Sequence, residues 1–162
     1  LQAKDKLLYF KSYYHKTKRE QHDEKYLRQT FEKKLHSFSF DCSLLQRKHA
    51  IEGNRSIINF DYSWLNGRLN LIQPLSFDLA EGHSIQDKSL LWFGKLAQIK
   101  PTLEKEDINI DFLVSRPQNA DLTKYFDNAI GNLNDIGKNL FTIIEEEQID
   151  SYAFKIFQHI HK

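Results

Sequence analysis

Two alternating runs with Asn66-Gly67 between them constrain the fold of this chain more than any other feature. Ile58, Phe60, Tyr62 and Trp64 alternate with Asn59, Asp61 and Ser63, and beyond the Asn-Gly pair Leu69 and Leu71 resume the alternation. Successive side chains of a strand point to opposite faces, so a period of two predicts strands with one buried face. Asn and Gly tolerate the positive φ of a type I′ turn, which predicts a two-residue hairpin loop. Such a loop sets Trp64 opposite Leu69, Tyr62 opposite Leu71 and Asp61 opposite Ile72, with one face of the hairpin aromatic and the other mixed.

Around this hairpin the periods are helical or strand-like in turn. Leu7, Leu8, Phe10, Tyr13 and Tyr14 cluster in a first helical segment, and Asp23 is placed to cap a second in which Leu27, Phe31, Leu35 and Phe38 recur every three or four residues. A strand is expected before the hairpin, around residues 38–44 or 48–51. Ser84 and Asp87 have the spacing of a capping box, with Ile85, Trp92, Leu96 and Ile99 down one face of the helix behind them and Pro101 at its end. Ile108, Ile110, Phe112 and Val114 alternate as a strand. A helix over about 121–134 ends near Gly137, a short strand spans 140–144, and a last helix over about 146–161 carries Ile149, Ala153, Ile156 and Ile160. The predicted fold class is therefore α/β, an α+β mixed sheet: N-terminal helices, a central antiparallel β-hairpin, then α-β-α-β-α with a parallel crossover.

A chain of 162 residues with 40% hydrophobic and 13% aromatic residues can bury a core without metal or disulfide support. No repeat, low-complexity tract or Gly/Ser linker divides it, so a single domain over 1–162 is expected. The chain starts at Leu1 and contains no Met, which suggests the C-terminal part of a longer protein. One cysteine, Cys42, forms no internal disulfide and suits a reducing, cytoplasmic setting, and the apolar runs are too short for a membrane span. None of the six glycines forms a dinucleotide or P-loop pattern, and no G-x-S-x-G elbow is present. Glu81-Gly82-His83-Ser84 offers a helix start that can hold an anion, although capping accounts for it.

Charge is sorted along the chain although the net value is +1. Residues 1–50 hold twelve Lys or Arg against six Asp or Glu, residues 51–100 five against five, and residues 101–162 six against eleven. Lys11, Lys16, Lys18 and Arg19 are interleaved with Tyr13 and Tyr14, with Lys4 and Lys6 ahead of them. Cations neutralise phosphates and exposed rings stack on bases, so this stretch is the sequence candidate for binding nucleic acid or an acidic protein surface. The alternative is a solvated helix face with both tyrosines in the core.

The α-β-β-β-α-β order over residues 20–115 resembles the core of the PD-(D/E)XK nuclease superfamily. That resemblance implies an Asp on one hairpin strand and an acid two residues before a Lys on the next, holding a divalent metal and an attacking water. Asp61 stands where the first carboxylate belongs and is the candidate metal ligand. The second strand reads Asn70-Leu71-Ile72-Gln73-Pro74, with neither acid nor Lys, and the next acid, Asp78, is followed by Leu79 and Ala80. His159 and His161 point apart on a helix, His15 and His22 lack a third ligand, and Cys42 lacks a nucleophile motif. The expectation is a non-catalytic interaction module without cofactor, contacting nucleic acid or an acidic partner. Its alternatives are a divergent or inactive nuclease-like domain and a homodimerisation domain in which the basic end of one copy meets the acidic end of another.

Overall fold

The computed structural model describes residues 20–39, 45–137 and 139–160. The predicted first helix and Cys42 lie outside these residues. Within them the order is α1 (Glu24–Ser37), β1 (Gln46–Glu52), β2 (Ile57–Leu65), β3 (Leu69–Ser76), α2 (Gly82–Lys105), β4 (Asn109–Ser115), α3 (Thr123–Asn134), β5 (Phe141–Glu145) and α4 (Ile149–Ile160). Short 3-10 turns at Ala120–Leu122 and Glu146–Gln148 lead into α3 and α4. The five strands lie side by side in chain order; β1, β2 and β3 pair antiparallel, whereas β3, β4 and β5 pair parallel. The mixed α/β sheet read from the sequence is the fold, and of the two positions offered for the strand before the hairpin the later one is occupied.

Helices cover both faces, as a sheet with parallel strands requires. On one side α2 and α3, the two crossover helices, contribute Ile85, Trp92, Leu96, Ile99, Phe126 and Leu133 to a core with Ile110, Phe112 and Val114 of β4. On the other, α1 and α4 contribute Leu27, Phe31, Leu35, Tyr152 and Ile156, packed on Ile72, Leu113, Tyr62 and Trp64. Asp23 caps α1 as its sequence predicts, its carboxylate accepting from the Tyr26 N–H at 2.9 Å.

Three local expectations are overturned. First, the hairpin register is shifted by one: Leu65 faces Leu69, Trp64 faces Asn70, Ser63 faces Leu71 and Tyr62 faces Ile72. The loop therefore has three residues, Asn66, Gly67 and Arg68, with the Asn66 N–H donating to the Arg68 carbonyl at 3.2 Å. The Asn70 side-chain amide favours this longer loop by donating to Asn66 Oδ1 at 2.8 Å and to the Arg68 carbonyl at 3.0 Å. Gly67 keeps the left-handed φ of 82° that its position demands. Since nothing lies within 4 Å of where its Cβ would sit, Gly67→Val is expected to destabilise the fold through backbone strain alone, by about 1 kcal/mol. Urea melts of the two proteins check this, and coincident midpoints would remove the strain argument.

Second, β2 does not keep one buried face. Ile58 and Phe60 belong to the core under α2, whereas Tyr62 and Trp64 belong to the core under α1 and α4. The strand changes face at Asp61, where its ladders on both sides are interrupted. Asp61 has no partner in β1, where Lys48 adopts a left-handed φ of 57°, and none in β3. Pro74 of β3 has no N–H with which to extend the β2–β3 ladder. The Asp61 N–H is satisfied by a side chain, Gln73 Oε1 at 3.1 Å.

Third, α2 neither starts at a Ser84 capping box nor stops at Pro101. It begins at Gly82 with no side-chain cap on the N-cap residue Glu81, so Ser84 lies inside the helix. It runs past Pro101 to Lys105 because its last turn is anchored: Leu103 is buried, its carbonyl accepts from the Ile108 N–H, and Thr102 Oγ1 donates to the Glu52 carbonyl at 3.0 Å. These contacts outweigh the missing proline donor.

Candidate functional site

Lys11, Tyr13, Tyr14, Lys16, Lys18 and Arg19 lie outside the described residues. The other sequence candidate, Asp61, sits at the face change of β2 beside a pocket of about 180 Å³ lined by Arg28, Arg47, Lys48, Asp61 and Tyr62. Helical spacing places Arg28 and Glu32 one turn apart on α1. Arg28 donates to Asp61 Oδ2 from Nη2 at 2.7 Å and from Nε at 3.2 Å. Glu32 Oε1 accepts the Tyr62 hydroxyl at 2.8 Å and pairs with Arg47 Nη2 at 3.0 Å.

These contacts decide the electrostatics. The hydrogen bond to Asp61, opposed by partial burial, holds the Arg28 guanidinium above its ordinary value, so it remains a fixed cation. Burial first, and then the hydrogen bond to Glu32, push the Tyr62 phenol far up, so it acts as a donor and not as a base. Three cations face two carboxylates around the pocket. Lys48 takes part in none of the ion pairs of the described residues and is exposed at the kink of an edge strand.

The metal expectation attached to Asp61 can now be tested against side chains. A divalent ion needs several carboxylate oxygens free to coordinate it. Oδ2 of the Asp61 carboxylate accepts both bonds from Arg28, and Gln73 of β3 spends its Oε1 on the Asp61 N–H and its amide on the Pro74 carbonyl at 3.0 Å. Among the described residues no three His, Cys, Asp or Glu side chains are grouped to hold a metal. The arrangement does suit an anion: Arg47 and Lys48 are exposed and Arg28 is partly so, and guanidinium donors match phosphate oxygens.

A larger polar cluster, which the sequence did not single out, closes the carboxyl ends of β3 and β4. The carbonyl of His22 accepts from Ser76 Oγ and Ser115 Oγ, each at 2.6 Å, and its N–H donates to Asp78 Oδ2 at 2.8 Å. Its ring lies flat on Tyr26, with centroids 3.8 Å apart, and its Nδ1 meets Glu146 Oε1 at 2.6 Å. Glu24 accepts the Ser76 N–H at 2.6 Å and pairs with Lys88 Nζ at 2.8 Å. Gln118 Nε2 bridges Asp78 Oδ2 at 2.6 Å and the Glu20 carbonyl at 3.0 Å. Apart from the stacked Tyr26 ring, every group named here bonds to another of the cluster, so its chemistry is that of a clasp fixing residues 20–24 on the sheet. Ser76, Asp78 and Ser115 are buried polar residues at strand ends, which is the one sequence-level hint of it.

Of the remaining histidine and loop candidates, His15 and His161 lie outside the described residues. His83 pairs with Glu81 at 3.0 Å on the surface, and the His159 ring lies 5.9 Å from Trp64. No protein-family model matches the sequence, and no curated protein is significantly similar to it.

Proposed function

We propose that this domain is a non-catalytic binding module that contacts nucleic acid through its basic N-terminal third. The observation that carries this reading is the cradle of Arg28, Arg47 and Lys48, in which Lys48 has no acidic partner among the described ion pairs and Asp61 is committed to Arg28. Lys11, Lys16, Lys18 and Arg19, with Tyr13 and Tyr14, are the proposed extension of this cationic surface. Phosphate contacts release counterions, so three such cations make affinity fall about 40-fold between 50 and 200 mM salt. Mobility shifts with generic DNA and RNA at the two concentrations test the proposal. Arg47→Glu with Lys48→Glu is expected to weaken binding at least tenfold, and joint reversal of Lys11, Lys16, Lys18 and Arg19 to abolish it. No binding at low salt, or binding indifferent to these reversals, overturns it.

The second reading, a nuclease-like domain without catalysis, draws support from the α1-β1-β2-β3-α2-β4 order, with β4 parallel to β3. A plasmid assay with Mg²⁺ and Mn²⁺ separates both readings from an active nuclease. No cleavage is expected from the protein or from Asp61→Asn, and cleavage lost in that variant would restore a metal role to Asp61.

A further inference from the structure

Among the described residues the sheet has two outer strands, β1 and β5. The β1 ladder is interrupted at Lys48, whereas β5 pairs with β4 in unbroken register over its whole length. The Ile110 N–H donates to the Leu140 carbonyl at 3.2 Å, and the backbone groups of a parallel strand alternate in direction, so Thr142 and Ile144 turn theirs to β4. Phe141 and Ile143 therefore turn theirs away from the sheet, where no hydrogen bond among the described residues engages them. The Glu145 N–H also points outward but is taken by Gln148 Oε1 at 2.9 Å. No residue from Asn139 to Ile144 is charged, is proline or has a left-handed φ. On the α3 side this edge is flanked by a groove of about 270 Å³, to which Phe126, Ile130 and Ile143 bring apolar surface. A straight, neutral edge of this kind accepts a further strand.

We infer that this further strand is β5 of a second copy, running antiparallel across a two-fold axis at Thr142. That register sets Phe141 opposite Ile143 of the second copy, and residues facing each other in a hydrogen-bonded pair exchange both N–H···O bonds. All the outward groups of Phe141 and Ile143 are then satisfied, while the Glu145 N–H stays on Gln148. A two-fold axis at Ile143 would instead call on the Glu145 N–H, which is committed. The side chains suit the same register. Phe141 and Ile143 both pack towards the α2 and α3 core, so apolar meets apolar across the seam on that side, and the exposed Thr142 meets its own copy on the other. An isologous contact must suit itself, and this one brings no like charges together. The net charge of +1 adds little repulsion between copies. Two strands of five residues bury less than the about 1,200 Å² of a standard stable interface, so the pair is a reversible one. It joins two five-stranded sheets into one, lies at the edge opposite β1 and is independent of the nucleic-acid reading.

Disulfide trapping in the full chain carrying Cys42→Ser tests the register. Facing residues of a non-hydrogen-bonded pair have Cα atoms about 4.5 Å apart, within the about 4.4–6.8 Å of a disulfide, so Thr142→Cys is expected to oxidise to a linked dimer. Asn139→Cys, exposed just before β5, would stand about 20 Å from its counterpart and is expected to give at least tenfold less. Sedimentation velocity from about 10 µM to about 1 mM tests the hydrogen bonds. Because the Ile143 N–H points away from β4, Ile143→Pro leaves the β4 ladder whole, and Ile143→Ala matches its loss of packing. The alanine variant is expected to dimerise as concentration rises and the proline variant to do so at least tenfold more weakly. The trapping comparison does not depend on the proline variant folding. Equal disulfide yields at positions 142 and 139, an unsubstituted chain that stays monomeric throughout, or a folded proline variant that associates like the alanine one would each overturn the proposal.

Discussion

Phe112→Ala is expected to remove about 3–5 kcal/mol of stability, the range for emptying a fully buried phenylalanine site. Phe112 lies on β4, the strand with parallel neighbours on both sides, and none of its surface is exposed. Its ring meets Trp92 of α2 edge-on at 5.5 Å and Phe141 of β5 edge-on at 5.6 Å. Truncation therefore leaves a cavity bounded by a helix and a neighbouring strand that cannot collapse into it without breaking the sheet. A domain of this size has a total stability of about 5–15 kcal/mol, so the variant should melt at a much lower urea concentration or fail to fold. A loss below about 1 kcal/mol in urea melts would mean that the core under α2 is not packed as described.

Tyr152→Phe is expected to cost about 2 kcal/mol at neutral pH, out of proportion to the single oxygen removed. The Tyr152 hydroxyl donates to the buried Asp111 Oδ2 at 2.5 Å, and Asn109 Nδ2 donates to its other oxygen at 2.8 Å. Burial raises the Asp111 carboxyl above its ordinary value, and these two donors pull against that shift. A carboxyl whose folded pKa is raised contributes stability that is present in full below its unfolded value and is lost as pH rises through the folded value. Removing the hydroxyl raises the folded value further, so the deficit should be largest near neutrality and shrink in acid. Urea melts of both proteins from pH 4 to 7 measure it; a deficit independent of pH would place the cost in packing and not in the carboxylate.

What the sequence revealed and what it hid divide along physical lines. Periodicity is a local signal, and it located α1, α3 and α4, because each presents one face to a core and its residue pattern records that face; alternation located β2 and β4 as strands, although β2 changes face and β4 is buried on both. The hairpin register escaped it because the choice between a two- and a three-residue loop rests on the Asn70 side chain, which reaches back across the turn. The face change in β2 also escaped: Ile58 to Trp64 reads as uniform alternation, and the break is imposed by neighbours, Pro74 on one side and the left-handed Lys48 on the other. Pro101 misled in the opposite sense, since contacts from β1 and from the segment before β4 hold the last turn of α2. At the candidate site, Asp61 could be singled out from its strand position, but its pairing with Arg28 is a contact between distant segments. Nor could spacing reveal the clasp on His22, whose partners come from beside the ends of three strands, with Lys88 of α2 joining through Glu24.

The left-handed kink at Lys48 has a consequence for how molecules of this protein meet one another. Among the described residues β1 is an outermost strand, paired with β2 alone. Straight, uncharged edges of this kind recruit strands from other molecules and seed aggregation. Here the edge is bent at Lys48 and carries Arg47 and Lys48 beside the bend, so an incoming strand loses register and faces two positive charges. Sequence change that removed these residues would thus cost solubility as well as any phosphate affinity, and the two pressures act on β1 in the same direction.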